Sequence, residues 1–243
     1  MDYLLDVAGA APARQPGDTA GVAPLFDSGS RCELFAQRVL RFEPGLSLER
    51  RNPAADEVLY VLAGSGDAEF GGDPVELHPG TGAFVPSGTG WLVTRADGLE
   101  VLSVLVHEPL PGATAPAVLD VAASDDGVAT AGRQFRLLAT PEVGCASVTQ
   151  FVGYIPVGRA PDHFHKYDEV VYVLAGHGTL HIAGNSTPLE CGSAVHLPAR
   201  LVHSLENNGP GEMQVLGVFR PAGSPAEAYY PDGTAAVVPT EET

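Results

Sequence analysis

Positive charge is scarce in this sequence, and lysine nearly missing. Across 243 residues, Lys plus Arg number 13 against 30 Asp plus Glu, a formal net charge of −17, and Lys166 is the single lysine. Such a field repels polyanions, so neither nucleic acid nor an anionic membrane surface is expected as a partner. Long hydrophobic runs are lacking as well. No stretch reaches the roughly eighteen apolar residues that span a bilayer, and the opening "MDYLLDVAGAAPARQ" has no basic segment leading into an apolar one, so no secretory signal is expected. Cysteine is sparse: Cys32, Cys145 and Cys191 are scattered, odd in number and without metal or redox spacing. Reduced thiols and a cytoplasmic location follow as the expectation. Convincing amphipathic helices are almost absent.

What the sequence does have is a repeat. "DEVLYVLAG" spans 56–64 and "DEVVYVLAG" spans 168–176, an offset of 112 residues. The same offset carries Pro44 onto Pro156, Gly72 onto Gly184, Leu77 onto Leu189, Gly80 onto Gly192 and Pro86 onto Pro198. Repetition at that length means two copies of a whole domain. Within each copy, short runs rich in Val, Leu, Phe and Tyr are punctuated by turn clusters such as "HPGTG", "AGHGT" and "NNGPGE", the pattern of an all-β sandwich or barrel. The organisation expected is an arm (1–31), a first barrel (32–110), a linker (111–143), a second barrel (144–221) and a tail (222–243), the tail packing partly over a barrel before it frays.

The second copy carries a constellation of polar residues. In "DHFHKYDEV", His163 and His165 are two apart, which on a strand sends both side chains to one face and Phe164 to the other. Glu169 follows four residues later, and His203 lies beyond Gly192 and Pro198. Three neutral imidazoles and a carboxylate form an N₃O site of net charge +1 with a divalent ion, leaving coordination positions open for substrate or O₂.

These residues resemble the cupin family. Gly158, His163, His165, Glu169 and Gly176 match its first motif, with one residue fewer after Gly158, and Gly192, Pro198, His203 and Asn207 match its second, with Arg200 where a glycine belongs. The resemblance implies an all-β bicupin of two tandem jelly-roll barrels. It implies one divalent ion per chain (Fe, Mn, Ni or Zn) on His163, His165, Glu169 and His203. It further implies a metal-dependent enzyme acting on a small organic molecule, with oxygen-using, dioxygenase-type chemistry favoured because the ligand set is similar to that of oxygen-using members. Non-oxidative isomerisation, decarboxylation or deamination, and non-catalytic ligand binding or storage, are the alternatives. Arg200, His196 and Tyr167 are the candidate catalytic residues, and a monomer or homodimer is expected.

In the first copy the ligand positions read Arg51, Pro53, Glu57 and Trp91. A guanidinium cannot bind a cation, so this barrel is expected to hold no metal, with Arg51 paired to the retained Glu57 and Trp91 filling the barrel.

Overall fold

The computed structural model describes residues 3–6 and 12–236; the end of the tail, where fraying is expected, lies outside them. Ten strands belong to the first half of the chain: β1 (Leu4–Asp6), β2 (Ala13–Arg14), β3 (Ala20–Pro24), β4 (Phe35–Phe42), β5 (Arg50–Arg51), β6 (Ala55–Phe70), β7 (Asp73–Leu77), β8 (Thr81–Val85), β9 (Gly90–His107) and β10 (Ala117–Asp120). Ten more follow: β11 (Asp126–Val128), β12 (Gln134–Leu137), β13 (Thr149–Ile155), β14 (Gly158–Arg159), β15 (Asp168–Ala175), β16 (His177–Ile182), β17 (Asn185–Glu190), β18 (Ser193–Leu197), β19 (His203–Asn207) and β20 (Met213–Arg220). Their ladders are antiparallel and build two jelly-roll barrels.

The repeated nonapeptide is the central strand of each barrel, β6 and β15, and it is buried on both faces. Alternation divides its side chains. Leu59 and Val61 point into the interior of the first barrel, and Val171 and Val173 into that of the second. Val58, Tyr60, Val170 and Tyr172 share a third core, which joins the two barrels. A strand with no solvent face tolerates no polar substitution, and each buried Val or Leu is worth roughly 1.5–3 kcal/mol. The terminal glycine is equally constrained. Gly64 has φ +73°, and a Cβ there would lie 2.2 Å from the carbonyl oxygen of Gly98. Packing therefore accounts for the conservation between the two copies, independently of any site.

Arm and linker prove to be structural. The arm strand β1 pairs with β18 of the second barrel, while β10, inside the stretch read as linker, pairs with β8 of the first. Each barrel thus receives an edge strand from the segment that precedes the other. The rest of that stretch supplies β11 and β12, which extend the second barrel's sheet beyond β13. Covering sheet edges in this way removes their unpaired amides from solvent. Among the described residues no helix is long and apolar enough to cross a membrane.

Candidate functional site

His163 and His203 face one another across an antiparallel bridge, the amide of His163 donating to the His203 carbonyl (3.0 Å) and that of His203 to the His163 carbonyl (2.8 Å). The two-residue period returns His165 to the same side. Phe164 between them stacks instead on Tyr229 of the tail, ring centroids 5.6 Å apart. The three imidazole centroids lie 4.6, 5.0 and 5.4 Å from one another, and one ring nitrogen of each falls within 4.8 Å of the other two.

Each ring is oriented by a backbone carbonyl. His163 Nδ1 lies 2.9 Å from Pro161 O, His165 Nδ1 2.7 Å from Glu227 O, and His203 Nδ1 2.9 Å from Leu201 O. A carbonyl only accepts, so each Nδ1 carries the proton and each Nε2 keeps its lone pair. Burial holds all three below the usual histidine pKa, with mutual repulsion added for His165 and His203; His165 falls to about 4. Three neutral, pre-oriented imidazoles fit a divalent ion. The tail takes part in the site, because Glu227 orients His165.

Glu169 lines the same cavity but stands outside the three-histidine cluster. It is buried, has no hydrogen-bond donor among the described residues, and its carboxyl is pushed up to about 8, by burial first and by the Asp168 charge second. The cavity, of about 90 Å³, has apolar walls that include Phe135, Phe151, Ile155 and Val215.

Of the candidate catalytic residues only Tyr167 is here. Its ring is sandwiched between His165 (4.6 Å) and Phe219 (3.9 Å), and burial keeps its phenol protonated. Arg200 is exposed on a turn and does not line the cavity; its amide donates to His165 O (2.7 Å) while its side chain stays outside. His196 lies on β18 with its ring on the side of the strand facing the other barrel, where Nε2 meets Asp168 Oδ1 at 2.9 Å. The alternation of β18 explains it: Val195 and Leu197 point into the barrel, so His196 cannot. Lys166 rests its ammonium 3.8 Å over the Tyr229 ring, also outside the cavity.

Sequence reasoning missed Arg133. It sits in the stretch taken for linker, just before β12, lines the cavity beside the histidines, and donates to Leu205 O (2.9 Å). Burial pulls its guanidinium down to about 10, and it has no carboxylate partner among the described residues. No motif announces it.

The first barrel corrects another expectation. Arg51 turns outward to Glu49 (2.7 Å) and Gly88 O. Glu57 is held instead by Arg38 (3.0 Å), by Trp91 Nε1 (2.8 Å) and by a short contact from the Ser103 hydroxyl. Arg51 lies on β5 at the barrel rim, paired with Gly90, whereas Arg38 lies on the long strand β4 and reaches the barrel interior.

The Cupin domain profile matches residues 38–107 and 150–219, one match per barrel. The chain belongs to the cupin family. Among curated relatives, auxin-binding protein 1 of Arabidopsis thaliana is 35% identical over 75 residues, which span 27% of this chain and 38% of that protein. Similar solved structures include the putative glyoxylate-induced protein from Pseudomonas aeruginosa (TM-score 0.75, 19% identity, 88% of this chain and 87% of that one). Protein Ylba from E. coli is alike at TM-score 0.75, 15% identity and 89% of both chains. An oxalate decarboxylase of Bacillus subtilis, described for its Mn(II) centres, matches at TM-score 0.73 and 13% identity over 90% of this chain and 77% of its own. Cupin membership and the three-histidine cluster support a divalent metal.

Proposed function

We propose that the second barrel holds a divalent ion on His163, His165, Glu169 and His203 and acts as an enzyme on a small organic anion. The observation that carries this reading is the pairing of three carbonyl-oriented imidazoles with an acid-free guanidinium, Arg133, in one small cavity. When bound, the ion supplies Lewis acidity and, if redox-active, electrons to O₂. Arg133 binds the carboxylate or enolate of the substrate, and its planar fork orients it. The apolar walls exclude water, and the neutral Tyr167 phenol contributes a hydrogen bond.

Oxygen-using, dioxygenase-type chemistry is the reading we favour, because the N₃O set leaves room for substrate and O₂ together. Non-oxidative decarboxylation is the second reading. Arg133 favours it: a buried guanidinium beside the histidines suits a substrate that carries a carboxylate to lose. The fold shared with Mn(II)-containing oxalate decarboxylase adds to it. Protein loaded with Fe(II) or Mn(II) and offered β-diketones, α-keto acids and small dicarboxylates separates the two by O₂ uptake or by CO₂ release without it. Arg133→Gln should raise KM for the anionic substrate roughly 10- to 100-fold, the loss of one or two charge-assisted hydrogen bonds. A silent panel, with a small ligand retained unchanged, would favour a binding protein instead.

A further inference from the structure

Outside this cavity, one further cluster of metal-ligating side chains stands among the described residues. Cys32, Asp168 and His196 each offer a donor atom within 4.8 Å of the other two. They come from three separate segments: Cys32 from the turn before β4, Asp168 from the start of β15 and His196 from β18. Cys32 and His196 are buried, and the cluster lies where the first barrel packs on the second.

The repeat supplies an internal control. The turn that ends at Cys32, with its amide bonded to Asp27 O (2.9 Å), recurs as the turn that ends at Cys145, with its amide bonded to Thr140 O (2.9 Å). Asp56 stands to Cys145 as Asp168 stands to Cys32, since each carboxylate contributes to the field at its thiol. The position equivalent to His196, however, is Phe84. One junction therefore has Cys, Asp and His, and the other only Cys and Asp. Asp56 there is occupied by the Ser87 amide (2.9 Å) and the Ser147 hydroxyl (3.4 Å), whereas the hydrogen-bond partner of Asp168 at the first junction is the imidazole itself.

We propose that Cys32, Asp168 and His196 form a second metal site, taking a thiophilic divalent ion such as Zn²⁺ that clips the two barrels together. A thiolate, a carboxylate and a neutral imidazole around a divalent ion sum to zero charge, which suits a buried position. The barrel site, with one carboxylate, would be +1. The thiolate selects Zn over Mn or Fe, so the two sites sort their metals by softness. Tetrahedral bonds of the usual zinc lengths set donors roughly 3.3–3.7 Å apart. The 2.9 Å separation of His196 and Asp168 must then open by a few tenths of an ångström. A solvent-facing recess that His196 lines with Tyr3, Phe26 and Arg31 gives the ion a way in and a place for a water as fourth ligand. The proton displaced is that of Cys32, which burial otherwise holds on the thiol. The expectation of one ion per chain would then hold for the barrels alone.

The test is to load the full chain with Co²⁺ and record the near-ultraviolet thiolate-to-cobalt charge-transfer absorption together with elemental analysis. The wild type should show the band, and His203→Ala, which addresses only the barrel site, should keep it. Cys32→Ser and His196→Gln should each lose the band and one ion equivalent. Two variants on different segments guard against one that fails to fold. Absence of the band from folded wild type, or its survival in Cys32→Ser, would overturn the proposal. Either result would leave the barrel site standing, because that site contains no sulfur.

Discussion

The indole Nε1 of Trp91 donates to Glu57 Oε2 at 2.8 Å. Trp91 occupies the position that His203 holds in the second barrel, and Glu57 the position of Glu169. The same carboxylate is thus served by nitrogen and hydroxyl donors in one barrel, and in the other it has no donor among the described residues. Arg38 completes the replacement by bringing a fixed cation to the spot. The acid of the first barrel is thus held by protein donors.

Glu57→Gln should therefore cost stability. It leaves the largely buried Arg38 without its counter-ion, a loss of about 1–3 kcal/mol. Arg51→Ala, removing an exposed pair with Glu49 and an exposed bond to the Gly88 carbonyl, should cost about 1 kcal/mol or less. Urea denaturation of both variants checks the order. A larger loss from Arg51→Ala would restore the pairing that the sequence led one to expect.

Metal affinity should depend on pH in a window set by Glu169 more than by the histidines. In the metal-free protein burial lowers all three imidazole pKa values, His165 to about 4, so the histidines lose their protons below the usual histidine range. The competing proton sits on Glu169, held to about 8. Binding must displace it, so affinity should keep rising through neutrality to about pH 8 instead of levelling near 6.5. Stability of the metal-free chain follows the same signs. A raised carboxyl pKa contributes stability present below about pH 4.5 and lost as pH climbs to 8, while the lowered histidines cost stability as pH falls below about 6.5. Calorimetric titration of Mn²⁺ in buffers of different ionisation heat should show a proton released near pH 7, and Glu169→Gln should abolish it. A flat affinity between pH 6 and 8 would contradict this.

Arg200 has a left-handed backbone, φ +67°, at the position where the first barrel has Gly88 at φ +79°. The strain is roughly 1–2 kcal/mol, partly offset in any replacement by the greater unfolded-state freedom of glycine, about 0.4–1 kcal/mol. Arg200→Gly should stabilise by up to about 1 kcal/mol, measured by denaturant melt, with metal content unchanged. Destabilisation would mean that the Arg200 side chain makes a stabilising contact.

Much of this was legible in the sequence, and the reason is periodicity. The nonapeptides announce two equivalent strands, and His163 and His165 converge because a strand returns every second side chain to one face. Motif spacing also brings His203 opposite His163. Hidden were the contacts that depend on how strands wrap. Arg133 lies far from any motif and enters just ahead of β12, in a stretch that reads as linker. His196 adjoins a motif, yet alternation turns it to the wrong side. Arg38, and not Arg51, reaches Glu57, because only the longer strand extends inside the barrel. The swap of β1 and β10 has no sequence signature short enough to see.

The central claim is that the intact site is confined to the second barrel. Metal content after Mn²⁺ loading, a hard ion that the thiolate-bearing junction disfavours, tests it most directly in three proteins: wild type, His203→Ala and Glu57→Gln. One Mn per chain is expected in wild type and in Glu57→Gln, with loss of nearly all of it in His203→Ala. Equal loss from Glu57→Gln, or full retention by His203→Ala, would contradict it.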